Sequence, residues 1–308
     1  KLVNAYDTDI VSQLNDCDVF MWHYSHINYK DMQFAKHLLF SLQIAGKKIF
    51  PDFNTCWHFD DKVAQKYLLE SIDAPMVKSY VFYTKKDANN WIDATGFPKV
   101  FKLKGGAGSA NVLLVKNKND AKKLINKAFG KGFKQYNALN NLKERWRKYT
   151  LNKTNLTDVL KGLVRFLYPT DFARFTSNEK AYAYFQDFMP GNKHDIRVVV
   201  VANKAFAIKR LTRQNDFRAS GSGFLIHDKN QIDERCVKIA FEVNQKLQSQ
   251  SIAFDFVFDE FGKPLIVEIS FGYSPEGYDN CTGYWDNQMT WHEGHINPYG
   301  WMIDELLS

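Results

Sequence analysis

The stretch FPKVFKLKGGAGSANVLLV, residues 97–115, holds Gly105, Gly106, Gly108 and Ser109 between two runs of β-branched and aromatic residues. A glycine-rich loop that opens a helix leads into G-K-[ST] and hands its phosphate to the helix N-terminus. Here Val100, Phe101 and Leu103 precede the glycines, and Val112, Leu113, Leu114 and Val115 follow them. The pattern therefore predicts a β-hairpin with the glycines at its tip. Lacking Cβ atoms, such a tip can turn successive N–H groups toward one point, at an entropic cost when it orders. It is suited to closing over an anion.

Around this hairpin the chain alternates helical and strand patterns. Asp18 to His23 and Lys48 to Phe50 read as strands flanking a helix over Lys30 to Ala45 that Gly46 stops. Asp60 or Asp61 caps a helix running to Ser71, and Val77 to Tyr83 is a strand before a helix over Lys86 to Ala94. Residues 118–176 are helical in pattern and interrupted near Asn152 to Thr157, a helical insertion about 134–176. Tyr182 to Met189 is a strand. Ile196 to Ala202 and Ala205 to Leu211 form a hairpin around Asn203-Lys204, Ile232 to Leu247 is an amphipathic helix, and Ile252 to Phe258 pairs with Pro264 to Ile269. The tail beyond Ser270 has no clear period and reads as an ordered loop region.

At 308 residues the chain can build two or three packed modules. It is 45% hydrophobic with no apolar run near 18 residues, a soluble composition without a membrane span. No secretory signal is visible, and Cys17, Cys56, Cys236 and Cys281 lack metal spacing, which favours reduced thiols in a cytoplasmic protein. The net charge of +7 is uneven: residues 116–165 hold 14 Lys and Arg against Asp120, Glu144 and Asp158, so the rest of the chain is acidic. A solvated helical face and a surface that attracts a polyanion both account for this; nucleic acid is disfavoured.

The last hairpin places chemistry. With its turn centred between Phe261 and Gly262, Asp255 lies opposite Glu268. Cross-strand Cβ atoms are about 4.5–5.5 Å apart, and like charges so placed repel by about 3 kcal/mol at an effective dielectric near 20. A hard dication between them would relieve this, and Ser270, on the same face as Glu268, adds a third oxygen. A register slipped by one would instead turn one carboxylate to solvent. Lys102, in the first strand of the glycine hairpin, adds a point charge for phosphate beside the anion loop. Together the two hairpins suit a Mg-nucleotide.

The ordered segments DDKVAQKYLLESIDAP, FPKVFKLKGGAGSANVLLV, YFQDFMPGNKHDIRVVVVANKAFAIKR, NDFRASGSG and FDFVFDEFGKPLIVEIS resemble the ATP-grasp superfamily, in the branch of glutathione synthetase and the ribosomal-protein glutamate ligases. The resemblance covers roughly residues 50–277. It implies a mixed α/β (α+β) ATP-grasp fold with an N-terminal α/β module (1–75), a lid subdomain carrying the insertion (76–187) and an antiparallel C-terminal core with an acceptor-side tail (188–308). It also implies ATP held between lid and core, and γ-phosphate transfer to a carboxylate whose acyl phosphate an amine attacks.

Carried over by motif, Lys62 and Lys102 are phosphate contacts, and Gly105, Gly106, Gly108 and Ser109 the flap. Gln186, Phe188 and Met189 border adenine, and Asp195 contacts ribose. Arg197, Arg210 and Arg218 hold the γ-phosphate or the carboxylate, although each guanidinium alone is equally an ordinary salt-bridge former. Asp255, Glu268 and Ser270 are the metal ligands. Ser270 stands where the family has Asn, which leaves one or two Mg²⁺ ions open. Trp291-His292-Glu293-Gly294-His295 lacks the H-E-x-x-H spacing of zinc proteases. The expected activity is an ATP-dependent carboxylate–amine ligase. Its acceptor side would suit an anionic glycan or uronic acid if Tyr273, Tyr278, Tyr284, Trp285 and Trp291 stack on sugars; a small amino-acid or peptide acceptor is the alternative. A kinase with a stable product and a nucleotide-sensing module are the rival readings.

Overall fold

The computed structural model describes all residues except 107–110, 136–137, 151–153, 166–167, 169–170, 213–215 and 219–222, and side chains other than those of 138–140, 144, 147 and 148. Residues Lys1–Ser25, Lys30–Val77 and Met189–Ser308 form one compact unit; His26–Tyr29 and Lys78–Phe188 form another.

The chain opens with α1 (Ile10–Gln13), β1 (Val19–Met21), α2 (Tyr29–Ile44), β2 (Lys48–Phe50), α3 (Phe53–Cys56) and α4 (Lys62–Ser71). Strands β1 and β2 pair in parallel through the α2 crossover, with Phe20 opposite Ile49. Gly46 ends α2 at φ +84°: Lys47 N–H donates to the Leu42 carbonyl and Gly46 N–H to that of Gln43. Leu39, Leu42 and Ile49 then pack with Tyr24, Phe59 and Phe271. Asp61 starts α4, its Oδ1 accepting from Val63 N–H at 3.1 Å and Ala64 N–H at 3.0 Å. This cap fixes where Lys62, the first helical residue, is held.

The second unit contains β3 (Ser79–Phe82), α5 (Lys85–Ala94), β4 (Lys99–Lys102), β5 (Val112–Val115), α6 (Lys118–Ala128), α7 (Ala138–Thr150), α8 (Leu156–Val164), α9 (Asp171–Phe175) and β6 (Ala183–Asp187). Its antiparallel sheet has the order β3-β6-β4-β5. The glycine hairpin is β4–β5, with Lys102 opposite Val112. Ala88 and Ile92 of α5 and Ala121 and Ile125 of α6 pack with Phe101, Val115 and Phe185 of the sheet.

Returning to the first unit, the chain forms β7 (His194–Val201), β8 (Lys204–Leu211), β9 (Leu225–Ile226), α10 (Glu234–Leu247), β10 (Ser251–Phe258), β11 (Pro264–Ser270), β12 (Gly283–Asp286), β13 (Trp291–Glu293) and α11 (Pro298–Leu307). The sheet order is β11-β10-β7-β8-β12-β13, with β9 on β8, all antiparallel. Val198 and Val200 face α10, while Val199 and Val201 pack with Met302 and Leu306 of α11. Burial on both faces explains the unbroken apolar run at the end of β7.

Two expectations are corrected here. The β7–β8 turn is Ala202-Asn203, one residue earlier than read, with Val201 paired to Lys204 and Ala202 at φ +51°; Asn-Lys offered the more familiar turn chemistry, but strand register decides. The tail is β12, β13 and α11, not loop. Strands of four and three residues are too short to show a period, and Tyr273, Tyr278 and Trp285 are buried core aromatics. The four cysteines are free thiols, and burial pushes Cys56 and Cys281 up to about 12. No described helix is long and apolar enough to cross a membrane.

His58 follows α3, fully buried, with neither ring nitrogen hydrogen-bonded. Burial, helped by the Lys36 charge, lowers its pKa from 6.5 to about 4. The unfolded chain therefore binds more protons between those values, and the neutral ring's contribution to stability, complete above pH 6.5, is lost as pH falls toward 4. Urea unfolding should lose about 3 kcal/mol to this group across that window. In His58→Leu, whatever its own stability, the slope should flatten by that amount; parallel pH profiles would show that the ring is not buried neutral.

Candidate functional site

The β10–β11 hairpin reaches the expected pairing by another route. Phe258 pairs with Pro264, Val257 with Leu265 and Phe256 with Ile266, which centres the turn on Phe261 and not between Phe261 and Gly262. The register then shifts, and Asp255 pairs with Glu268, Phe254 with Ile269 and Ala253 with Ser270. Val267 is the extra residue of a β-bulge. Without it Asp255 would oppose Val267. The sequence held a signal for this: Ile266 and Ile269 share one core cluster at an odd spacing, which an unbroken strand cannot achieve.

Across four adjacent strands the charged groups form a ladder. On one side of Asp255 lies Arg197 of β7, directly opposite in register, and on the other Glu268; Asp195 and Arg210 are paired between β7 and β8. Arg197 donates to Asp255 through Nε at 2.5 Å and Nη2 at 2.7 Å. Arg210 donates to Asp195 at 2.7 and 2.6 Å, and its Nη2 also approaches Asp255 Oδ2 at 2.9 Å. From α4, Lys62 Nζ lies 3.1 Å from Glu268 Oε1. Three cations thus meet three carboxylates. Arg197, Arg210 and Lys62 relieve the Asp255–Glu268 repulsion that the sequence left to a hard dication.

The titration directions follow from this geometry. Burial opposes the charge of Asp255, but Arg197 and then Arg210 outweigh it and hold the carboxyl well below the usual range. For Asp195 burial prevails over the pull of Arg210 and raises the pKa. Burial also works against the Lys62 ammonium, yet Glu268 and Asp60 keep it charged, with its pKa raised. Tyr278, which sequence reasoning did not place here, is a buried hydroxyl raised by desolvation against the fields of Arg197 and Arg210.

A hard cation fits this oxygen set. Asp255 is held ionised, Glu268 is the least buried of the three carboxylates, and Ser270 Oγ, which accepts from Gly272 N–H at 3.2 Å, projects from the same face as Glu268. Among the described residues no group of three His, Cys, Asp or Glu gathers for a metal. The ladder carries no surplus negative charge, so it suits a cation that arrives with an anionic ligand. His292 instead bonds Asp286 at 2.7 Å, on the β12–β13 hairpin.

Other expected residues are distributed between the units. Asp195, expected at the ribose, has both of its oxygens accepting from Arg210. Arg218 forks onto Asp216 through Nε at 2.9 Å and Nη2 at 2.7 Å. In the second unit Lys102 is buried, with Tyr184 and Val112 as cross-strand neighbours. Gln186 is buried and donates to Ser79 Oγ at 3.1 Å, a partner the sequence did not suggest. Gly106 has φ +107°, and a Cβ there would lie 2.7 Å from Asn111 Nδ2, so the hairpin needs glycine at this position. Gly105 is buried; Gly108 and Ser109 lie outside the described residues. Phe188 ends the second unit and Met189 resumes the first, its carbonyl accepting from Asn192 Nδ2 at 3.2 Å.

Residues 172–283, which include the ladder apart from Lys62, match the family model of the RimK-like ATP-grasp domain. The chain is similar in fold to N5-carboxyaminoimidazole ribonucleotide synthetase from Thermotoga maritima (17% identity, 86% of this chain and 54% of that one, TM-score 0.50). It is similar also to a RimK domain ATP-grasp protein from Sphaerobacter thermophilus (14%, 89% and 78%, 0.50). A third similar structure is the biotin carboxylase domain of Hydrogenobacter thermophilus 2-oxoglutarate carboxylase, in complex with MgADP, ADP and bicarbonate (12%, 97% and 56%, 0.57). The chain spans about half the length of the Thermotoga enzyme. No curated protein matches it in sequence.

The ladder separates two substitutions that the sequence alone treats alike. Asp255→Asn leaves the buried Arg210 and the half-buried Arg197 short of charge and should cost about 3–5 kcal/mol in urea unfolding. Glu268→Gln should cost about 1 kcal/mol, since its amide oxygen still accepts and Asp60 and Asp61 remain in the field of Lys62. Equal losses would show that Asp255 is not the common partner of the arginines.

Proposed function

From the ATP-grasp fold of the chain and the RimK-like ATP-grasp domain over residues 172–283, we propose that the protein is an ATP-dependent carboxylate–amine ligase. The observation that carries this reading is the electroneutral ladder Lys62–Glu268, Asp255–Arg197 and Arg210–Asp195. Guanidinia oriented by carboxylates are preorganised donors for anionic oxygens, and preorganised donors stabilise developing charge without reorganising. Asp195 and Asp255 aim Arg210 and Arg197; the arginines receive the γ-phosphate or the carboxylate being activated. Lys62 and Lys102 contact ATP phosphates, as do the amides of the Gly105–Gly106 hairpin. Gln186, Phe188 and Met189 border the base.

Asp255, Glu268 and Ser270 would hold Mg²⁺, which, when bound, neutralises phosphate charge and orients the triphosphate. The MgADP of the Hydrogenobacter domain supports a Mg-nucleotide in this fold. Because the ladder is neutral, the free protein should take up Mg²⁺ weakly and the Mg-nucleotide together.

The substrates are a carboxylate, activated as its acyl phosphate, and an amine that displaces phosphate. Reaction of the carboxylate oxygen with the γ-phosphorus releases ADP; attack of the amine nitrogen on the carbonyl carbon releases phosphate and a proton and leaves an amide. An anionic glycan or uronic acid belongs among the acids to be screened. Its recognition would rest on lysines and arginines and on the half-buried Tyr284 and Trp291, because Tyr273, Tyr278 and Trp285 are core.

The deciding experiment measures ADP release over carboxylates and amines, with hydroxylamine as trap. With the true acid, Mg-ATP and hydroxylamine, the protein should form a hydroxamate without the native amine. A stable phosphorylated product at one equivalent per ADP would make it a kinase, and nucleotide binding without substrate-dependent ADP a sensor. Glu268→Gln should lower turnover at least about 100-fold while remaining folded; wild-type turnover would remove Glu268 from the site.

A further inference from the structure

Helix α8 is built inside out. At about 100° per residue, Leu163, Leu156, Leu160 and Val164 fall within a sector of about 100°. A surface helix turns such a stripe to its core, yet these residues are 50%, 50%, 52% and 52% exposed. The narrow opposite side is the one that packs. Val159 and Gly162 are its buried positions, a Cβ on Gly162 would lie 2.9 Å from Arg145 Cδ and 3.0 Å from Leu142 Cδ1 of α7, and Arg145 pairs with Asp158. Helix α8 therefore lies tightly on α7 and presents its apolar side outward. Nearby in sequence, Trp146, Tyr168 and Phe175 are exposed as well.

The charge of this segment selects what covers the stripe. Lys161 lies toward one edge of it, Arg165 follows the helix and is exposed, Lys143 is exposed on α7, and residues 116–165 are the strongly basic part of the chain. A second copy would set two basic hairpins against each other. A hydrophilic polyanion would match the charge and leave the leucines wet. An acidic helical peptide would need a groove, whereas α8 offers a convex ridge. An exposed apolar stripe on a strongly basic helical segment that also holds exposed Trp and Tyr is the composition that lies in the interface of an anionic bilayer. We propose that the α7–α8 hairpin docks the protein reversibly on an anionic membrane surface. This inference stands apart from the ligase reading.

The test is sedimentation of the full chain with vesicles of phosphatidylcholine alone or with about 30% phosphatidylserine. The protein should partition onto the anionic vesicles, and salt should release it as the screening length falls from about 10 Å at 0.1 M to about 3 Å at 1 M. Leu160→Gln with Leu163→Gln, both at exposed positions, should lower the partition coefficient at least about 10-fold. Lys161→Gln with Arg165→Gln should lower it on the serine-containing vesicles only. ATP affinity should be unchanged in both variants. Absence from both pellets, or an unaltered partition in the leucine variant, would overturn the proposal. So would a dimer that the leucine variant abolishes, or binding of poly-glutamate without binding of vesicles.

Discussion

One carboxylate, Asp255, shared by two guanidinia, fixes the arrangement of the large sheet's charged end. Arginines withdrawn from water are tolerable only where their charge is met, and Asp255 meets the half-buried Arg197 along two hydrogen bonds while approaching the buried Arg210. Its own burial would favour protonation, so each charge is stabilised by the others and no member stands alone. Strand order β8-β7-β10-β11 is what puts the participants side by side, and the valines of β7, covered by helices on both faces, keep that order rigid.

Neutrality shapes what such a site can accept. A bare cation gains little from a set of oxygens already matched by arginine and lysine, and a bare triphosphate has few uncompensated positive charges to meet. Their complex brings its own balance. The ladder is thereby biased toward ligands in which metal and anion come together, a selectivity of total charge as much as of shape.

Much of this was legible in the residues, for reasons that differ by element. The Asp61 cap, the β4–β5 hairpin and helix α10 follow local rules of capping, β-propensity and 3.6-residue periodicity, and those rules were not overridden. The Asp255–Glu268 pairing was reached although its turn was misplaced, because Val267 inserts a residue that compensates for the error. A bulge leaves only a faint trace in sequence, here the odd spacing of Ile266 and Ile269. The roles of the arginines depend on strand neighbours far apart in the chain, so spacing could identify them without saying that carboxylates orient them. Short β12 and β13 carried too few residues to declare themselves, and their aromatics resembled a binding surface because core and stacking platforms use the same side chains.

The ladder also orders the folding of this unit in time. Asp195 and Arg210 belong to one hairpin and are 15 residues apart, Arg197 and Asp255 are separated by 58, and Lys62 and Glu268 are the pair farthest apart in sequence. Loop closure favours the nearest pair first. As the chain emerges from synthesis, Arg210 meets its partner within β7–β8, while Arg197 waits for β10. A nascent chain ending before Ser251 has made the arginines without making Asp255, and must keep that edge of β7 hydrated. Completion of the neutral ladder is thus tied to arrival of β10 and β11, which makes the unit's charge balance a checkpoint on its own assembly.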